Sequence, residues 1–159
     1  MAAFLTGIFT GAPLFVWPLL AGLVFLGLRA RQARSVPVAA FYALPLMVLL
    51  GVRTTSALPA GVWIWAVFAL AYGAGAVAGF LLQARWTLGR EGTRVRLSGE
   101  SLTLLVVMVL FWANFVSGAL EAVAPAVYLH PLFQAAFAAL LAMGSGSFAG
   151  RALHVLRLA

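Results

Sequence analysis

The chain has 159 residues, of which 65% are hydrophobic and only 8% charged, and its mean hydropathy is +1.10. A water-soluble domain covers itself with roughly 25% charged residues, so the composition excludes one and points to an integral membrane protein. The net charge of +7 is carried by ten arginines and no lysine. Those arginines cluster at the ends of apolar runs, so the expected partner is anionic lipid headgroups and not nucleic acid. The absence of cysteine excludes disulfides, thiolate metal sites and cysteine nucleophiles.

Apolar runs of about 17–25 residues are candidate spanning helices, and five occur, at 13–28, 36–52, 59–83, 101–123 and 131–154. The stretch AAFLTGIFTG at 2–11 is apolar but short and glycine-broken, which suits an interfacial lead-in. Pro13 fits a first helical turn, where a missing N–H costs nothing. Pro18 is expected to bend the first span, and Pro45 interrupts the second, the span most open to being re-entrant. No positive charge precedes Arg29 and the apolar stretch is too long for an h-region, so a cleaved signal peptide is not expected.

Arginine placement orients the chain. Arg29, Arg31 and Arg34 lie between the first two spans; Arg85, Arg90, Arg94 and Arg96 between the third and fourth; Arg151 and Arg157 at the end of the fifth. The intervening loops carry only Arg53 or none. The positive-inside rule then puts the N-terminus outside and the C-terminus in the cytoplasm.

Residues 85–100, RWTLGREGTRVRLSGE, alternate polar and apolar residues on both sides of G-R-E-G. This predicts a small cytoplasmic β-hairpin, with Val95 and Leu97 inward and Arg94 and Arg96 outward. A lone hairpin is marginal in water and should lean on the bilayer or the helix ends. Arg85, Arg90, Arg94, Arg96, Arg151 and Arg157 are the candidate headgroup contacts.

Gly7 and Gly11, Gly75 and Gly79, and Ala142, Gly146 and Gly150 recur at fourth positions. Such faces let helix backbones approach closely in lipid, so they are expected helix-contact surfaces, within the chain or in a homo-oligomer. The fourth span carries Asn114, Ser117 and Glu121 on one polar stripe, with Trp112 at mid-span. Arg53 and His130 fall on the same predicted outer side as Glu121. Together they form a candidate binding cluster, with a salt bridge between spans as the structural alternative. Trp17, Trp63, Trp65, Trp86 and Tyr128 sit near span ends as interfacial anchors.

His130 and His154 fall on opposite predicted faces, so one chain cannot clamp a single metal or haem iron between them. No HExxH, paired carboxylate or phosphate-binding loop is present. No cofactor or catalytic constellation is expected.

Four segments carry a family resemblance: TGAPLFVW at 10–17, GLRARQARSVP at 27–37, RVRLSGES at 94–101 and SGSFAGR at 145–151. They resemble a family of small, uncharacterised bacterial inner-membrane proteins of four or five helices. Members open on a Thr-Pro-x-Trp-Val-Trp-like motif and end on Ser-Gly-x-Phe-x-x-Arg. This chain departs from that pattern at Gly11-Ala12, Phe15, Pro18 and Glu100. The resemblance implies an inner-membrane location and a helical fold, and no activity.

The expectation is an all-α membrane bundle of about five helices with a cytoplasmic hairpin. It binds or transports a small molecule or lipid through the polar stripe, or serves as a non-catalytic subunit of a larger membrane complex.

Overall fold

A computed structural model describes residues 16–158, apart from the side chains of Arg90 and Glu91. The lead-in, Pro13 and the Gly7–Gly11 pair lie outside the described residues. In chain order the elements are α1 (Val16–Ala30), β1 (Arg34–Pro37), α2 (Val38–Ala43), a 3-10 turn (Leu44–Leu46) and α3 (Met47–Ser56). They continue with α4 (Trp63–Trp86), β2 (Thr87–Glu91), β3 (Arg94–Leu97), α5 (Leu102–Val123), α6 (Pro125–Tyr128) and α7 (Pro131–Arg157).

The fold is a helical bundle with a small sheet at one end. Four helical stretches are long and apolar enough to cross a membrane: Val38–Ser56, Trp63–Trp86, Leu102–Val123 and Pro131–Arg157. The described part of α1 is shorter, at 15 residues. The second stretch differs from the expected span at 36–52. Val36 and Pro37 belong to a strand, and helix begins only at Val38. Pro45 removes a helical N–H and crowds the preceding turn, and the chain responds with a 3-10 turn there before resuming α-helix at Met47.

The hub is α7. It runs along α4 and also touches α2, α3 and α5, while α1 packs on α5. Small residues make the α4–α7 seam tight. Gly75 and Gly79 lie against the backbone of Met143 and Ser147, and Gly146 and Gly150 against that of Tyr72 and Ala76. A Cβ at any of the four would run into a main-chain carbonyl oxygen of the other helix. The stripes thus meet each other within one chain, so backbone dispersion contacts replace side-chain interdigitation.

The sheet has three antiparallel strands in the order β1-β3-β2, not two. Val36 pairs with Val95 and Arg34 with Leu97, placing β1 as an edge strand. Val95 and Leu97 are buried against Val38, Phe41, Ala152 and Val155, while Arg94 and Arg96 stay exposed. This packing ties the sheet to α2 and the end of α7, and supplies what a lone hairpin lacks. Two further corrections concern its start and its turn. Arg85 and Trp86 close the last turn of α4, where a cation complements the helix dipole, and do not begin a strand. The chain reverses at Gly92 and Thr93, with Gly92 at φ +57°, because Gly89, Arg90 and Glu91 are already extended. At the opposite end a second core joins Leu58, Ile64, Phe137, Ala138 and Leu141.

Candidate functional site

Where the sheet meets the helices, Arg151 of α7 is 4% exposed and forms an ion pair with Glu100, Nη2 to Oε1, at 2.6 Å. Its Nε donates to Gln83 Oε1 at 2.9 Å and its Nη1 to Thr103 Oγ1 at 2.8 Å. Glu100 Oε2 accepts from the Thr103 backbone N–H at 2.8 Å, and Oε1 also accepts from the Thr103 hydroxyl. Gln83 in turn donates to Thr87 Oγ1 at 3.1 Å. Burial pushes the Glu100 carboxyl up. The Arg151 charge and the bonds from Thr103 and Arg151 outweigh that and hold it below its ordinary value.

The sequence builds this cluster locally. Ser101 makes no side-chain cap on α5, so Glu100 supplies one instead, its carboxylate taking a first-turn N–H at the positive end of the helix. Gly99, at φ +86°, brings the preceding backbone so close to Arg31 that a side chain would strike its carbonyl oxygen. Glu100 is locked further by its own N–H donating to Ala30 O at 2.9 Å. Each guanidinium nitrogen has a partner from a different residue: Gln83 on α4, Thr103 on α5 and Glu100 just before it. A group so buried, with a partner at each nitrogen, holds helices together and is closed off from an outside ligand. Arg151 was expected to be a headgroup contact. The structure corrects this, because the guanidinium is buried and paired inside the bundle.

The other predicted basic residues lie outside that network. Arg85, Arg94, Arg96 and Arg157 are exposed. Arg157 lies over the Phe80 ring at 5.3 Å, and His154 meets the same ring edge-on at 5.0 Å. The Arg90 side chain lies outside the described residues.

The outer cluster of Glu121, Arg53 and His130 is not assembled. All three are exposed, and among the described residues Glu121 forms no ion pair with either cation. Its charge acts on Tyr128 instead: burial and then Glu121 push that phenol up. His130 caps α7, its Nδ1 accepting from Leu132 N–H at 3.3 Å. Asn114 is exposed and returns its amide to Leu110 O at 2.8 Å, while Ser117 is buried. Trp112 is half-exposed and packs edge-on against Phe111 and Phe115. The stripe therefore points mainly outward, because α5 is the least covered long helix, with 6% of its apolar window buried against 56% for α7.

An apolar groove of about 200 Å³ runs between α4, α5 and α7. Gly75, Gly79 and Gly144 leave its floor bare, and Leu105, Val109 and Leu140 form its walls. The glycines that let α4 and α7 touch thus also open a furrow beside the seam. Neither Asn114 nor Glu121 lines it.

Sequence reading does not find Glu100, Gln83 and Thr103 as a unit. Two traces of it were readable: Glu100 departs from the resembled motif, and Gln83 is the one uncharged polar side chain in the last turns of a long apolar run. Among the described residues no group of three or more His, Asp or Glu side chains is placed to hold a metal ion. No family model matches the chain, and neither a curated protein nor a solved structure matches it. The resemblance noted above is therefore carried by its short motifs alone.

Proposed function

We propose that this is a polytopic protein of the bacterial inner membrane that binds lipid, with its sheet and C-terminus on the cytoplasmic side and its N-terminus outside. The apolar groove between α4, α5 and α7 carries the reading. Soluble metabolites are generally held in pockets of about 300–1,000 Å³ with several polar groups. This furrow is smaller, is open along one flank and has almost wholly hydrocarbon walls, which suits a stretch of acyl chain. Binding is proposed without transport, because the polar stripe that a transported solute would use stands apart from the groove.

Native mass spectrometry of protein released gently from membranes tests this. One phospholipid retained per protomer is expected. Val109→Trp, which fills the groove from a half-exposed wall position, should abolish that retention with the fold intact. A protein that carries no lipid, or a variant that keeps it, overturns the reading.

One observation favours a second reading, that of an accessory subunit or homo-oligomer. Asn114 stands exposed in the middle of an apolar helix, where lipid would leave its carbonyl oxygen without a donor. A second membrane helix would supply one. The same spectra show whether a second copy or another chain travels with this one, and Asn114→Leu should then dissociate it.

A further inference from the structure

A second concavity, of about 550 Å³, opens where the end of α1 meets β1. Arg29 comes from the last turn of α1, Gln32 from the connection, Arg34 and Ser35 from β1, and Arg94 from β3. Among the described side chains no lining residue is acidic; Glu91, whose side chain lies outside them, is paired opposite Arg94 in the sheet. Arg94 donates from Nε to Ser35 Oγ at 3.1 Å and from Nη2 to Ser35 O at 3.3 Å. Both acceptors are neutral, so these two bonds fix the guanidinium in place without themselves cancelling its charge. Arg34 Nε is buried and has no hydrogen-bond partner. Glu100, the buried carboxylate at this end of the molecule, is already paired with Arg151. The C-terminal dipole of α1 places roughly half a negative charge nearby. That opposes an anion, but three guanidiniums exceed it several-fold.

We propose that this pocket binds a phosphate-ester anion. A tetrahedral phosphate offers several terminal oxygens to guanidiniums arriving from different elements, and the planar fork of arginine matches two of them at a time. Two sources share this chemistry: a phospholipid headgroup and a soluble phosphate ester. The headgroup has a route for its chains, since Arg29 and Gln32 also line an adjoining concavity with the exposed Phe25 and Leu28 on the flank of α1. The pocket is separate from the α4–α5–α7 groove and shares no residue with it. Only the headgroup source depends on the membrane reading.

The test uses the full chain in nanodiscs, with Arg34→Gln, Arg94→Gln and the double variant. Arg31→Gln serves as a control, exposed and outside the pocket. In discs of phosphatidylcholine doped with phosphatidic acid, native mass spectrometry counts the anionic lipid retained. In discs of phosphatidylcholine alone, calorimetry titrates inorganic phosphate and glycerol 3-phosphate. Each pocket arginine removed should weaken binding about fivefold, as expected of one arginine at an anionic surface, with an unchanged melting temperature. Selective retention of phosphatidic acid that falls in the pocket variants supports the site and names the lipid as its source. Saturable phosphate binding with the same loss supports it and names a soluble ester. Binding in neither arm overturns the proposal, as does an equal loss in Arg31→Gln, which would reduce the pocket to diffuse charge. Val109→Trp separates this site from the groove. It should empty the groove and leave the phosphate response unchanged, whereas pocket variants should leave the groove lipid in place.

Discussion

At the scale of single residues, Arg151 and Glu100 dominate. Burying both charges is expensive, and the pair persists because each nitrogen of the guanidinium has an acceptor. Removing one partner leaves an unpaired buried charge, so Glu100→Ala should lower stability by about 3–5 kcal/mol in thermal or denaturant unfolding in detergent. Replacing both, as Arg151→Met with Glu100→Leu, should recover most of that loss, because well-packed apolar residues substitute for buried ion pairs at little cost. The pH dependence has a definite sign. The folded Glu100 carboxyl sits below its ordinary value of 4.5. Its contribution is therefore complete above the unfolded value and is lost as pH falls through the lower folded one. Wild type should show a fall in melting temperature in that acid window, and Glu100→Gln should lack that component. The pair was not legible in the sequence. Arg151 is one of ten arginines, and nothing in its neighbourhood marks it as the one facing inward. That depends on how Gly150 seats α7 on α4, a tertiary fact.

At the scale of elements, the glycine seam is the feature most readable from spacing. Fourth-position glycines on two apolar runs predict close helix contact, and the structure sets those two stripes against each other. Gly150→Ala should force the helices apart. Overpacking typically costs about 1–3 kcal/mol, readable as a lower melting temperature. Gly73→Ala, on the facing helix α4 but directed at open space, should be neutral or slightly stabilising, since alanine only restricts the unfolded chain there. Equal losses at both positions would contradict the seam, because alanine is the better helix former at each and only a close backbone approach opposes it. Apolar length also places the three long helices near their observed bounds, as 59–83 against Trp63–Trp86, 101–123 against Leu102–Val123 and 131–154 against Pro131–Arg157. The short elements fail for a physical reason. A four-residue strand such as β1 carries too few residues for a period of two to show, and it exists because β3 pairs with it. Its proline and adjoining apolar run read as the start of a helix.

At the scale of the whole molecule, the account rests on two ends of different character. The sheet end gathers Arg29, Arg34, Arg94, Arg96 and the Arg151–Glu100 clamp, and the other end holds α6, His130 and an apolar core. Between them α5 alone, at 22 residues, spans about 33 Å at the usual helical rise, enough for a hydrocarbon core of about 30 Å. The polarity of the two ends was visible in the alternation of arginine-rich and arginine-poor loops. The two concavities proposed as binding surfaces were not, because the groove arises between helices distant in sequence and the pocket at α1 and β1 is completed by Arg94 from β3. The most direct test is single-cysteine accessibility, which the absence of native cysteine makes clean. Thr93→Cys, at the exposed turn of the sheet, and Leu129→Cys, at the exposed end beyond α6, would each be challenged with a membrane-impermeant maleimide in sealed vesicles of one orientation. Labelling of one position in intact vesicles, and of the other only after permeabilisation, is the predicted result. Labelling of both from the same side, or release of the protein from the membrane by alkaline carbonate, would contradict the account.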